Sequence, residues 1–206
     1  MSLRRGVVSV GLGVVLLVSG CTTSAVGQAQ PAPGQGGASS TTGSSTAAAT
    51  SLPPRLAELS VAGIDPCALL PEGQRASLEI DRPPNKGDGG GDALIGGTAC
   101  TYPVTTWGVY GVVVSSTFTV TNWIEQTGGQ AKDNRVTSVG GYPAVVTYSS
   151  DQSGSCFVLV DVAVDSVLYV PVTDRRDYVV QDGKVVCANA KKAAGVALTT
   201  LQALQK

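Results

Sequence analysis

Residues 22–54 carry no charge at all, and Ala, Ser, Thr, Gly and Pro fill 28 of those 33 positions. A stretch with so few large apolar groups cannot offset the entropy lost on ordering. It reads as a flexible linker with a coil span of ~30–35 Å and a maximum reach of about 110 Å. The hydroxyls of Ser39-Ser-Thr-Thr42 could carry O-linked sugar, although an inert spacer is the simpler reading. The folding part is therefore expected to be 55–206, whose 152 residues suffice for one core with ~70% of the chain's surface buried.

Upstream of the linker, Met1-Ser-Leu-Arg-Arg5 is a short positive segment, and Gly6–Val18 is an uncharged, mostly apolar run of 13 residues. As a helix that run spans about 20 Å, short of a ~30 Å hydrocarbon core, so a signal peptide over 1–20 is the better reading. Leu17-Val-Ser-Gly-Cys21 follows directly and resembles a bacterial lipobox. The resemblance implies cleavage between Gly20 and Cys21 and attachment of a diacylglycerol, with a further acyl chain such as palmitate, to Cys21. Two or more chains hold a protein firmly to a bilayer. The expected location is the outer face of the cytoplasmic membrane, with the membrane itself as one partner. The cleaved chain has 12 basic and 15 acidic residues.

Within 55–206 the strongest pattern is β. Ala99–Val104, Val109–Val120, Arg135–Val139, Ala144–Ser149, Cys156–Asp165 and Val167–Thr173 are rich in β-branched and aromatic residues, as strands are. In Cys156–Asp165 one face is wholly apolar and the other mixed, which predicts a sheet fully covered on one side. Helical signals stand around and between the strands. Asp65-Pro66 is an N-cap followed by Pro at N1, with a second start at Pro71-Glu72 running to about Ile80. Asn122 with Glu125 reads as a capping-box variant closed by Gly128-Gly129. Ala190, Ala194, Ala197, Leu201 and Leu204 recur at helical spacing, with Leu198 beside them, and predict a helix over 187–204. Asp81–Gly97, with its prolines and glycines, reads as a loop. The expected class is α+β: a mostly antiparallel sheet packed by N-terminal, middle and C-terminal helices.

Four cysteines remain once Cys21 is acylated: Cys67, Cys100, Cys156 and Cys187. They lack CxxC spacing, so a zinc site is disfavoured, and disulfides suit an extracytoplasmic chain. Pairing Cys67 with Cys100 and Cys156 with Cys187 would join a helix start to a strand twice, across similar separations of 33 and 31 residues. The nested alternative, Cys67–Cys187 with Cys100–Cys156, stays open if the two helix starts adjoin.

Asp65-Pro-Cys-Ala-Leu-Leu70, Cys100-Thr-Tyr102, Gly140-Gly-Tyr-Pro-Ala144, Cys156 and the late Cys187 before an Ala-rich helix together resemble one family. It is the actinobacterial lipoprotein family catalogued as domain of unknown function 3558. Tyr102 departs from the Trp of many members, at an aromatic packing position. The resemblance implies a surface lipoprotein and no enzyme. The element order is also similar to that of α/β sandwiches of the PsbP type.

The chain has no His, which excludes Ser-His-Asp triads, Cys-His pairs and imidazole ligands within it. A net charge of −1 offers no basic field for nucleic acid. Asp88 and Asp92 flank three glycines but lack the EF-hand series, so a solvated loop is favoured over a calcium site. Asp161 and Asp165, about 13 Å apart on one strand face, are too distant for a glycosidase pair and read as surface charges. No nucleophile elbow or S-x-x-K is present. Asp174-Arg-Arg-Asp177 could touch an anionic wall polymer, but self-paired surface charges are favoured. Trp107, Tyr110 and Trp123 could line a groove for sugar or lipid, but core anchoring is favoured.

No catalytic residue, metal ligand or cofactor is expected. The expected function is a non-catalytic binding or accessory domain whose partner is an envelope protein, glycan or lipid. The alternatives are a small-ligand or lipid carrier or an envelope sensor, and, less favoured, a glycan hydrolase using carboxylates alone.

Overall fold

The computed structural model describes residues 52–87, 95–127, 134–149, 154–175 and 183–206. Expectations for the signal peptide, Cys21, the linker as far as residue 51, Asp88–Asp92, Gly128-Gly129 and Arg176-Asp177 fall outside them. No helix among the described residues is long and apolar enough to cross a membrane.

Among the described residues seven strands form one antiparallel sheet: β1 Asn85–Gly87, β2 Thr98–Val104, β3 Gly108–Ser115, β4 Arg135–Val139, β5 Tyr142–Ser149, β6 Ser155–Ala163 and β7 Ser166–Asp174. Their spatial order is β1-β2-β3-β7-β6-β5-β4. The sequence alone does not give that order: β7 returns across β6 to close against β3. The helices are α1 Glu72–Arg75, α2 Val120–Thr127 and α3 Gly183–Leu204, and the expected α+β class is what the molecule has.

Five local expectations are corrected. β1 lies inside the segment read as a loop: Asn85, Lys86 and Gly87 pair with Thr101, Cys100 and Ala99. The strand expected to run to Val120 stops at Ser115, because Val120 is already helical. The capping box sits three residues earlier than expected. The Asn122 amide donates to Thr119 Oγ1 and the Thr119 amide to Asn122 Oδ1, each at 3.0 Å, so Asn122 is the reaching-back residue and not the cap. α3 starts four residues before Cys187, and Leu204, placed on its apolar stripe, is 54% exposed. Leu52 already packs against buried side chains, three residues ahead of the expected start at 55. The mixed face of the sheet is partly covered, in keeping with an expectation of full cover on one side alone.

Strand alternation explains the two faces. Even-numbered residues of β2, β3, β6 and β7 point towards α3 and the N-terminal turns, where Val112, Val158, Val160, Leu168 and Val170 are fully buried. Each such side chain contributes roughly 1.5–3 kcal/mol relative to exposure. Ala190, Ala193, Ala194 and Ala197 have zero exposure and let the α3 backbone approach the sheet. On the opposite face Val113, Leu159, Val167 and Tyr169 are covered by Phe118, Val120 and Trp123 of the β3–α2 region and by Ile95.

The motif Gly140-Gly141 joins β4 to β5. Both residues have positive φ, 54° and 83°, between the paired Val139 and Tyr142, as a two-residue hairpin turn requires. At the other end of the chain, Asp65 caps a 3₁₀ turn over Pro66–Ala68 by accepting from the Cys67 amide at 3.1 Å. Both disulfides follow the first pairing considered, Cys67–Cys100 and Cys156–Cys187, each with Cα atoms 5.1 Å apart. One ties the N-terminal turn to β2, the other ties α3 to β6. The nested alternative is thereby excluded.

Candidate functional site

On the face away from α3, Phe118, Val120 and Trp123 cover one end of the sheet and a groove of about 980 Å³ occupies the other. Its floor is built from odd-numbered strand residues: Thr101 and Pro103 of β2, Val109 and Gly111 of β3, Pro171 and Thr173 of β7, Ser155 and Phe157 of β6. Two backbone features keep that floor low. Pro171 has no amide to give, and the β3–β7 pairing lapses between Tyr110↔Val172 and Val113↔Tyr169. Beside the lapse, a Cβ on Gly111 would lie 2.6 Å from Pro171 Cγ, so the Pro171 ring occupies the space a side chain would need.

The rim comes from the β2–β3 turn and the two chain segments beside it. Thr105 and Thr106 stand at the turn, Arg82 before β1 and Arg175 after β7. The turn is fastened on three sides. The Thr105 amide donates to Asp81 Oδ1 at 2.9 Å, the Arg175 amide to the Trp107 carbonyl at 2.7 Å, and Trp107 Nε1 to Glu79 Oε2 at 2.9 Å. The Thr105 hydrogen bonds, backbone first and then side chain, hold the Asp81 carboxyl below its ordinary range. Glu79 has a left-handed φ of 60°, a conformation that costs a non-glycine residue of order 1 kcal/mol. Among the described residues, the groove lining has hydroxyls, prolines, an amide, aromatic rings and two guanidinium groups, and no carboxylate.

The residues singled out in the sequence fall at several different places. Trp107 and Tyr110 are core anchors on the α3 side, edge to face at 5.2 Å. Trp107 also reaches the groove edge. Trp123 anchors the other face, edge to face with Phe157 and tilted against Tyr169, and its Nε1 donates to Thr147 Oγ1 at 3.0 Å. Tyr102 is buried with its hydroxyl donating to the Pro66 carbonyl at 2.9 Å, a partner that a phenol needs there. Burial pushes its pKa to about 12 and raises that of Tyr110 as well, so neither phenol serves as a base near neutrality.

The aspartates depart from expectation. Asp161 is no surface charge: it is 6% exposed, with Arg55 Nη1 2.7 Å from its Oδ2. Burial pushes its carboxyl up, and the Arg55 guanidinium pulls against that shift. Asp165 lies in the β6–β7 turn, beyond the end of β6, so the two do not share a strand face. Asp174 is likewise buried, at the end of β7, while Arg175 joins the groove rim. A second hollow of about 470 Å³ contains both Glu58 and Asp161, but Arg55 engages both carboxylates. Among the described residues no group of three or more acidic or thiol side chains is placed to hold a metal ion.

Sequence reasoning missed Arg82, Thr101, Pro103, Gly111, Pro171 and Thr173 as neighbours. A usable signal existed in Pro171, inside the β-branched run Val167–Thr173, where a proline marks an interrupted ladder.

No curated protein and no solved structure matched the chain. A family model described as protein of unknown function (DUF3558) matches residues 16–200. The matched span takes in the whole sheet, both disulfides and the groove, and with this coverage the chain belongs to the family of domain of unknown function 3558.

Proposed function

We propose that this protein is a non-catalytic binding domain of the cell envelope, held to the outer face of the cytoplasmic membrane by lipid on Cys21, with its ligand seated in the groove over Gly111 and Pro171. The observation that carries this reading is the groove. At about 980 Å³ it is ligand-sized, it is floored by rigid strand residues, and its described lining holds hydrogen-bonding and apolar groups without an acid, base or nucleophile pair. Hydrolysis by two carboxylates is disfavoured by the same lining, since such chemistry needs acids ~5–9.5 Å apart across the scissile bond. A lipid carrier is disfavoured by the position of the groove on the outer sheet face, where hydroxyls and guanidinium groups border it.

The test is native mass spectrometry of the full-length protein extracted from its own host, with and without Thr101→Trp, which places an indole over the floor. A bound mass that is present in the wild type and lost in the variant is the expected result. Equal adducts on both proteins, or none on either, would reject the groove as the binding site. Independently, Cys21→Ala should move the protein out of the membrane fraction; unchanged retention and processing would reject the lipid anchor.

A further inference from the structure

The charge and chemistry of the groove lining deepen that reading from a binding site to a class of ligand. Arg82 and Arg175 approach the groove from two segments distant in sequence, one before β1 and one after β7, and both are exposed. The described lining contributes these two cations and no anion, in a chain whose acidic residues outnumber its basic ones. The carboxylates nearest in sequence are turned to other work. Asp81 accepts from the Thr105 amide, and Asp174 is a buried even-numbered residue of β7, which alternation directs to the α3 side. Along β2 and β7 the floor alternates hydroxyls (Thr101, Thr173) with flat, rigid apolar surface (Pro103, Pro171).

That alternation suits a saccharide, which presents hydroxyls at its edge and C–H groups on its faces. Two separated cations over a carboxylate-free floor suit a saccharide bearing negative charge. We infer that the groove takes an anionic glycan, with Arg82 and Arg175 pairing carboxylate or phosphate groups on successive sugars and the proline floor packing against the sugar faces. Guanidinium is the cation best matched to such groups, because it can donate two parallel hydrogen bonds to one anion. The inference rests on the groove being the binding site.

Isothermal titration of the full-length chain in non-ionic detergent, with tetragalacturonate as probe and neutral maltotetraose beside it, tests both levels separately. Tetragalacturonate should bind at one site, at least tenfold more tightly than maltotetraose. The affinity should fall tenfold or more in Arg82→Gln/Arg175→Gln and several-fold between 50 and 300 mM salt, as expected of screened charges. Because both arginines are exposed, the double variant should melt with the wild type. Maltotetraose binding as tightly as the uronate, with both lost in Thr101→Trp, would overturn the anionic assignment and leave the groove standing as a site. Uronate binding indifferent to Thr101→Trp, or no binding of either probe, would overturn the assignment and the groove together. Capture of the protein lacking its anchor by anionic vesicles, through the same two arginines and in preference to the uronate, would overturn the glycan assignment in favour of a lipid headgroup.

Discussion

Arg55 Nη1 lies 2.7 Å from Asp161 Oδ2, so the first charged residue after the linker closes on a buried carboxylate 106 positions further along the chain. Around this pair the segment after the linker is strapped down. The Leu59 amide donates to the Val162 carbonyl at 2.8 Å, the Val164 amide to Glu58 Oε2 at 3.0 Å, and Ser60 exchanges two hydrogen bonds with Gln205 beyond the end of α3. The strap thus holds the Asp161 end of β6. The groove lies at the Ser155 end, about 20 Å away along the same strand.

Arg55→Ala should destabilise the domain by about 1–2 kcal/mol in urea unfolding at neutral pH. It leaves a buried carboxylate without its cation, but the partial exposure of Arg55 discounts the full cost of a broken buried pair. The pH dependence has a definite sign. The folded Asp161 pKa is raised, so its charged form is a cost that is fully present above the folded pKa and relieved as pH falls through it towards the unfolded value. Removing Arg55 takes away the opposing pull, so the deficit of the variant relative to wild type should shrink on acidification. A deficit that grows as the pH is lowered would contradict this account.

Non-reducing peptide mapping should recover Cys67 crosslinked to Cys100 and Cys156 to Cys187. Loops of this size contribute up to roughly 3.5–4 kcal/mol each by the chain-entropy estimate. Cys156→Ala/Cys187→Ala and Cys67→Ala/Cys100→Ala should therefore each lower the melting temperature by several degrees or more. A melting temperature unchanged on reduction would show that neither bridge constrains the unfolded chain.

Thr119→Ala should cost about 1 kcal/mol, because it removes the acceptor for the Asn122 amide and the hydroxyl that donates to Asn122 Oδ1 at 2.8 Å. Asn122→Ala should cost a similar amount. The double variant should cost less than the sum, since the bond from Thr119 Oγ1 to Asn122 Oδ1 is already lost in either single variant. Strict additivity in denaturant unfolding would argue against the reciprocal pair. Glu125→Ala, by contrast, should be nearly neutral.

NMR titration should find the Asp81 carboxyl below the ordinary aspartate range. In Thr105→Val its midpoint should move up part of the way, because the hydroxyl is lost while the Thr105 amide still donates. An unmoved midpoint would remove the side-chain share of the shift. With a folded pKa below the unfolded one, this contact adds stability above the unfolded value and loses it as the pH falls through the folded value.

Much of the architecture was legible because its causes are local. Five strands, β2, β4, β5, β6 and β7, begin and end within two residues of the expected runs, since side-chain alternation is written directly in the order of residues. Asp65-Pro66 nucleates its turn with its own side chain and ring, so that turn was readable too. The disulfide pairing followed from helix-to-strand logic because each bridge joins neighbouring elements. Asp161 was misread for the opposite reason. Nothing within its own strand distinguishes a solvated aspartate from one whose cation arrives from residue 55.

The sequence by itself determined the α+β class and the family, and it favoured the pairing of the two bridges while leaving a nested alternative open. All of these depend on residues near one another in the chain or on their spacing. Only the tertiary structure decided that β7 closes the sheet against β3, which face α2 covers, and that Arg82, Thr101, Gly111, Pro171 and Arg175 border one groove. The order of strands depends on which hydrophobic faces pack together, with β3 and β7 partners such as Ser115 and Val167 far apart in the chain, and local propensity is blind to that choice. A site assembled from five strands and three further segments has no motif, so it becomes visible once the sheet has brought its parts together.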